Sequence, residues 1–253
     1  MNIDIPFLSK LNPLNYTLGF DFIYVINLER RVDRREKMEA LEKYHGLCFK
    51  YVKAVDKDDE IAISRLNRSK LLEPLPGMKA CYLSHYNIYQ SIIENGYKNA
   101  LILEDDIDIE LNIFDIMYNI HHNLPNDWEL LYFGHCHEWM DSITLISNLS
   151  NSSDNKLYTA VYPQCTHAYA ITASAAKKLL EILDIDHTSM DLAIDIELAT
   201  LILAKNLTAY AVHPQIIAQW KGLYDQSDLS PGWTDDTYYL KNSTLESLGF
   251  QRN

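Results

Sequence analysis

The chain has 253 residues, of which 47% are hydrophobic and 23% are charged, an ordinary composition for a globular protein that buries a sizeable core. The 22 Lys and Arg residues are outnumbered by 35 Asp and Glu residues, and the formal net charge of -13 argues against an extended nucleic-acid surface, which needs clustered cations. No apolar run reaches the length of about 18 residues that crosses a bilayer, so the sequence predicts no membrane span.

Hydrophobic periodicity predicts alternating strands and helices. Short apolar runs have the pattern of buried strands, and they cover 22–26, 49–55, 100–103, 130–134, 168–171 and 208–212. Segments with helical apolar spacing or with capping residues have the pattern of helices, and they cover 34–44, 80–95, 113–122, 174–183 and 192–205. Turn and loop composition marks three further segments, which are 74–77, a polar stretch expected to be mobile at 141–155, and the tail beyond 219.

The order strand, helix, strand at the start of the chain predicts a βαβ unit and therefore parallel strands. We expect an α/β fold with a mostly parallel central sheet in a single Rossmann-like domain that spans 1–253 and has its core at about 18–220. Ligands of such sheets bind at the carboxyl ends of the strands. Three polar clusters follow predicted strands, namely 27–35, 104–108 and His213.

The acidic residues after the third predicted strand point to a metal site. Glu104, Asp105, Asp106 and Asp108 follow that strand directly, and acids two residues apart at a strand end share a face. Carboxylates suit Mg and Mn, so we expect Asp106 and Asp108 to bind a divalent cation, with His213 as a third ligand. The alternative is a solvated loop or a helix start, where acids are also common.

Four arginines lie close together early in the chain: Arg30, Arg31, Arg34 and Arg35. The guanidinium group binds phosphate oxygens in a bidentate manner, so the cluster predicts a phosphate site. The alternative is a solvated helix start in which these cations pair with neighbouring acids.

Two histidines, His135 and His137, follow the fourth predicted strand. They have the spacing of a shared zinc ion, and a zinc hydrolase is therefore a competing enzyme class, although no third ligand stands at a suitable spacing. Local hydrogen bonding is the alternative. The sequence contains no dinucleotide-binding, P-loop or nucleophile-elbow motif.

Four stretches resemble glycosyltransferase family 25, the family of the lipooligosaccharide and procollagen galactosyltransferases. They agree with the family in order and spacing, and they are 24–35, 77–85, 100–106 and 166–171. A further segment, 127–136, looks most like fungal members. The resemblance runs from about Leu18 to about Gln219 and so covers nearly the whole chain.

The resemblance implies a GT-A-like fold, a UDP-sugar donor, usually UDP-galactose, a Mn ion and inversion at the anomeric carbon. It implies a set of residues around the nucleotide sugar, which are Asn27, Leu28, Arg31, Val55, Asp56, Ser84, His85, Glu104 and Asp105. It also implies that Asp106 binds the metal. Asp191 matches an acidic position near the acceptor and is our candidate for the base that removes the acceptor proton, with Glu138 and Asp195 as alternatives.

The expected function is therefore transfer of a hexose, which the resemblance implies is galactose, from a UDP-sugar to a hydroxyl of a glycan or protein. Collagen hydroxylysine, a lipid-linked glycan and a cell-wall glycan all remain open as acceptors. A non-catalytic, adhesion-type relative is the alternative, and the acids Glu104, Asp105 and Asp106 argue against it because a binding protein has no need of them.

Cysteines and sequons bear on the compartment. Cys136 and Cys165 flank neighbouring predicted strands, so they come within reach of a disulfide, which joins Cα atoms about 4.4–6.8 Å apart; free buried cysteines are the alternative. An excess of Asn-x-Ser/Thr sites favours a lumenal protein. The N-terminus lacks the pattern of a secretory signal. We therefore expect the ER or Golgi lumen if an anchor has been removed, and the cytoplasm otherwise.

Overall fold

The computed structural model describes residues 14–66, 75–149, 154–185, 192–220 and 240–251. The strands are β1 Ile23–Asn27, β2 Lys50–Lys53, β3 Asn99–Glu104, β4 Ile107–Ile109, β5 Leu130–Gly134, β6 Leu145–Asn148, β7 Lys156–Thr159, β8 Ala168–Thr172, β9 Ala209–His213 and β10 Ile217–Gln219. The helices are α1 Leu14–Thr17, α2 Val32–His45, α3 Glu60–Ser64, α4 Pro76–Glu94, α5 Ile113–Asn123, α6 Ala173–Ile182, α7 Ile194–Leu203 and α8 Thr244–Ser247. None of these helices is long and apolar enough to cross a membrane.

Eight strands form one sheet in the order β2-β1-β3-β8-β5-β9-β7-β6. Strand β1 pairs in parallel with β2 and β3, and β5 pairs in parallel with β9. Strand β8 runs antiparallel between β3 and β5, and β7 runs antiparallel to β9 and β6. The predicted α/β fold with a central sheet is confirmed, and the sheet is mixed because β8 and β7 enter it in the reverse direction.

Each face of the sheet is covered by helices. Along β1, Tyr24 points to the side that α4, α6 and α7 cover, and Val25 points to the side of α2 and α5. This alternation follows from the two-residue period of a strand. Because both faces are buried, the strands carry continuous apolar runs, which is why their positions could be predicted.

Some segments differ from the sequence prediction. Helix α4 begins at Pro76, whose fixed φ angle and missing N–H suit the first turn of a helix, so the predicted turn at 74–77 is wrong for the residues the structure describes. The stretch 141–155 was expected to be a mobile loop, but β6 within it pairs with β7 as an edge hairpin. Strand β6 is largely exposed, and therefore it lacks the apolar pattern that marks buried strands.

The segment 240–251 is anchored on β4 and the residue after it. Asp108 accepts hydrogen bonds from Ser243 Oγ at 2.5 Å and from Leu245 N at 3.0 Å. Glu110 Oε1 accepts from Lys241 N at 2.6 Å. Asp108 is fully buried, and the backbone N–H of the following residue also donates to its Oδ1 at 2.8 Å. The prediction that Asp108 binds metal is therefore corrected, because its carboxylate holds the C-terminal segment in place.

His45 joins this anchored segment to helix α2. Its Nε2 lies 2.9 Å from Thr244 Oγ1, and that hydroxyl donates in turn to Ile109 O at 2.6 Å. Because the Thr244 proton is directed at Ile109, Nε2 donates to Thr244 and the imidazole is neutral. Burial lowers the pKa of His45 to about 4 from its ordinary value of 6.5.

We expect His45 to make stability depend on pH. The unfolded chain takes up the His45 proton near pH 6.5 and the folded chain only near pH 4, so stabilisation is lost as the pH falls through this interval. The loss reaches at most about 3 kcal/mol. Urea unfolding of wild type and His45→Gln measures it: the difference between their unfolding free energies shrinks from pH 7 to pH 4. A difference for His45→Gln that stays flat from pH 7 to pH 4 would contradict the assignment.

Candidate active site

The carboxyl ends of β2, β1 and β3 meet at one edge of the sheet because these three strands are parallel. Ala54 N donates to Asn27 O at 2.9 Å and so holds the chain after β2 against the end of β1. Glu104 ends β3 opposite Ile26 in β1. The edge therefore brings together the two polar clusters that the sequence separates by about seventy residues, 27–35 and 104–108, as the rule for ligand sites in α/β sheets predicts.

Asp105 is the buried centre of this edge. Its Oδ2 accepts from Asn27 Nδ2 at 2.7 Å and from Leu28 N at 3.4 Å, and its Oδ1 accepts from Arg34 Nη1 at 2.9 Å. Asp105 and Asn27 were both predicted to contact the nucleotide sugar. The structure shows that their side chains bind each other and join β1, β3 and α2, and their contact with the nucleotide sugar stays a prediction.

Arg34 was grouped with the other arginines but was not among the predicted site residues. It lies on the buried face of α2, and its Nη1 contacts Asp105 at 2.9 Å and Asp106 Oδ2 at 3.2 Å. The signal was present in the sequence, since Arg34, Met38 and Leu41 share one helical face with the spacing i, i+4, i+7. An arginine on an apolar helical face needs an acidic partner inside the protein.

Arg31 and Asp56 lie at the same edge and are both partly buried. Arg31 donates from Nε and Nη2 to the two oxygens of Asp33 at 2.9 and 2.8 Å. This pairing is the main cause that lowers the pKa of Asp33 to about 2. Arg30 lies 3.6 Å from Asp56. The arrangement matches the solvated helix start that was the alternative for this cluster, so a phosphate that reaches Arg31 competes with Asp33.

Ser84 and His85 support the site from behind. Ser84 Oγ accepts from Val55 N at 2.9 Å and thereby fixes the chain after β2. His85 is fully buried, with Nδ1 at 3.0 Å from Tyr169 OH and Nε2 at 3.3 Å from Glu104 Oε1. Both were predicted to bind the nucleotide sugar. The structure corrects this prediction, because both side chains are buried and position Val55 and Glu104 instead.

Glu104 remains partly exposed and keeps a negative charge. Its Oε1 accepts from Thr166 Oγ1 at 2.8 Å and faces His85. Burial favours the protonated form, but the hydrogen bond and charge of His85, with further help from Thr166 and His167, outweigh burial and lower the pKa of Glu104. Both contacts use Oε1, which leaves Oε2 for a ligand.

A disulfide joins the end of β5 to the segment before β8. Cys136 and Cys165 have Cα atoms 5.5 Å apart, which confirms the predicted bridge. Cys165 N donates to Asp195 Oδ2 at 3.1 Å, and the neighbouring Thr166 holds Glu104. The bridged segment 164–167 therefore positions two acids that come from distant parts of the chain.

Asp195 is the acid with the character of a base. Burial raises its pKa, and the negative charge of Glu104 adds to this rise, while hydrogen bonds from the backbone of Cys165 and Ile196 oppose it. Asp191, the first candidate for the base, lies outside the described residues. Glu138, another candidate, is buried and accepts hydrogen bonds from three backbone N–H groups, so its role is structural.

The described residues contain two groups of three metal-ligating side chains. One consists of Cys136, Cys165 and His167, and the disulfide removes its thiolates. The other consists of Cys81, His85 and Glu104. In that group burial raises the pKa of the Cys81 thiol well above its ordinary value, so the thiol stays protonated, and His85 is already hydrogen-bonded. Neither group suits a hard divalent cation.

The acids at the end of β3 suit such a cation better. Asp106 and Glu104 are both partly exposed, stand two residues apart and offer hard carboxylate oxygens. His213 was predicted as a third ligand, but β8 and β5 lie between β3 and β9 in the sheet, a lateral distance of about 14 Å. The His213 ring stacks on His135 with centroids 6.3 Å apart. We therefore leave His213 out of the site.

The family model named glycosyltransferase family 25 (LPS biosynthesis protein) matches residues 20–196. The chain belongs to glycosyltransferase family 25. Human procollagen galactosyltransferase 2 is a family 25 relative, 30% identical over 184 residues, or 64% of this chain and 28% of that protein. Human inactive glycosyltransferase 25 family member 3 is also 30% identical, over 179 residues, or 64% of this chain and 29% of that protein.

This family 25 chain therefore spans less than a third of the length of these relatives. A solved glycosyltransferase involved in the glycosylation of the major capsid of PBCV-1 is 14% identical and has a TM-score of 0.42, with 71% of this chain and 73% of that chain covered. The match to the family model confirms the resemblance of the sequence motifs to glycosyltransferase family 25.

Asp105 should dominate the stability of this family 25 site. Replacing it by Asn removes the carboxylate that the buried Arg34 contacts at 2.9 Å, and we expect a loss of about 3 kcal/mol in unfolding free energy. The control is Asp33→Asn, which breaks an exposed pair and costs at most about 1 kcal/mol. Urea titration followed by circular dichroism measures both. Equal losses in the two variants would show that Asp105 is not the centre of the edge.

Proposed function

We propose that this chain is a metal-dependent inverting glycosyltransferase that moves galactose from UDP-galactose to a hydroxyl of a glycan or protein. One observation carries the proposal: the bridged segment 164–167 holds Glu104 and Asp195 near each other, beside Asp106 and the arginines at the start of α2. The galactose assignment rests on relatives named procollagen galactosyltransferases.

Donor binding uses charge on both sides of the diphosphate. The Arg31 guanidinium contacts the more exposed carboxylate of Asp33, which a phosphate oxygen of the donor would replace. Asp106 and Glu104 are the residues that would hold a divalent cation such as Mn, which would supply positive charge to the leaving diphosphate. The buried pair of Asp105 and Arg34 keeps Asp106 in place, so the ligand carboxylate does not have to be ordered during the reaction.

The acceptor side needs a base. In an inverting transfer the acceptor oxygen forms a bond to the anomeric carbon while the bond from that carbon to the diphosphate oxygen breaks. The acceptor proton passes to a carboxylate, for which we propose Asp195, and UDP leaves as the anion. Its raised pKa makes Asp195 a stronger base than an exposed aspartate, which is the adjustment that general-base catalysis requires.

A second candidate function is a binding role without transfer, because an inactive family member matches the chain as well as an active one does. The transferase and the binding role are distinguished by measuring UDP release from UDP-galactose with and without Mn. The disulfide favours an oxidising compartment, which agrees with the lumenal alternative.

Asp106→Asn tests the metal. We expect Mn-dependent UDP release to fall by at least about a hundredfold, because the variant loses a charged ligand, while the variant stays folded because Arg34 keeps its contact with Asp105. Asp58→Asn, which alters an exposed acid, serves as the control and keeps wild-type turnover. Near wild-type turnover of Asp106→Asn at saturating Mn would show that this acid does not bind the metal.

Asp195→Asn tests the base. We expect kcat to fall by about 10²- to 10⁴-fold with the KM for UDP-galactose nearly unchanged. In the wild type, kcat rises with pH through the raised pKa of Asp195, since the base must be deprotonated, and this acid limb disappears in the variant. The pH profile of galactose transfer measures both effects. An unchanged acid limb would assign the base elsewhere, with Asp191 as the next candidate.

A further inference from the structure

A pair of stacked aromatic rings lies beyond the disulfide. Trp139 and Tyr162 have ring centroids 5.0 Å apart and planes inclined by 25°. The Trp139 side chain is 43% exposed although it is the largest type of apolar side chain. One face of its ring is covered by Tyr162, and the exposure leaves another part of the ring open to solvent.

Glu138 fixes the backbone of both aromatic residues. This buried carboxylate accepts from Trp139 N at 2.7 Å, from Tyr162 N at 2.7 Å and from Val161 N at 3.1 Å. A buried charge that binds three backbone N–H groups is a strong local constraint. The backbone of both aromatic residues is thus fixed before any ligand arrives, which lowers the entropic cost of binding.

The aromatic pair is continuous with the proposed reaction centre. His137 and Gln164 form a β-bridge, and the disulfide between Cys136 and Cys165 follows directly. The backbone N–H of Cys165 then binds Asp195. Each ring lies three positions along the chain from its cysteine, which is at most about 10 Å of extended backbone.

The shape and charge of the pair select its ligand. Proline recognition uses rings that stand apart and admit the proline between them, whereas these rings touch and close that gap. The segment 134–149 contains no lysine or arginine that would bind an anionic group. A flat, uncharged aromatic face suits the C–H face of a neutral pyranose ring.

We propose that Trp139 and Tyr162 form an acceptor subsite that binds a non-reacting neutral sugar ring of a glycan acceptor. This inference rests on the proposed transferase function and makes it more specific, because it selects a glycan rather than a bare peptide as the acceptor.

The test uses an array of immobilised galactose-, glucose- and mannose-containing oligosaccharides, with a hydroxylysine-containing collagen-type peptide beside them. We expect wild type to bind at least one oligosaccharide and Trp139→Ala to bind it about tenfold more weakly. Trp139→Phe retains an aromatic face and restores most of the binding. Tyr118→Ala, which removes an exposed aromatic residue on α5, binds like wild type.

Three results would overturn the subsite: no oligosaccharide bound, binding of the peptide alone, or equal binding by wild type and Trp139→Ala. UDP release from UDP-galactose into water is measured in parallel, and Trp139→Ala keeps wild-type release because neither ring is among the described residues that we place at the donor edge. If wild type binds glycans through Trp139 but releases no UDP, the transferase proposal fails and the subsite stands.

Discussion

The buried carboxylate of Asp105 is the interaction on which the edge of the sheet depends. It binds the side chain that ends β1, the backbone that follows, and the arginine on the inner face of α2. A buried charge is costly unless it is fully paired, so the three elements must meet in one arrangement. Asp106 acquires its position from this network because Arg34 contacts both acids.

The disulfide has a comparable role on the other side of the site. It links two cysteines that are 29 positions apart in the sequence. Beside Cys165, the hydroxyl of Thr166 donates to Glu104, and the backbone N–H of Cys165 donates to Asp195. Burial and Glu104 raise the pKa of Asp195, so the bridged segment positions the residue that we propose as the base. Glu104, Asp195 and the proposed sugar subsite are all attached to this segment.

Several acids near the site have purely structural roles, and their hydrogen bonds distinguish them. Asp108 binds the segment 240–251, and Glu138 binds the backbone beneath the aromatic pair. Each accepts at least two hydrogen bonds from neutral donors and is buried. Glu104 and Asp106 differ because they keep partial exposure, which a ligand needs.

The sequence by itself determined the family, the positions of most buried strands, the two polar clusters at the strand ends and the possibility of the bridge between Cys136 and Cys165. These features are local, since apolar runs and motif spacing follow directly from residue order. Only the tertiary structure determined which partners each acid binds. Asp105 and Asp108 belong to one run of acids, yet they are separated in role by their partners Arg34 and Ser243, which come from distant parts of the chain. The reversed direction of β8 and the nearness of Asp195 to Glu104 likewise depend on contacts between distant segments, and no local pattern encodes such contacts.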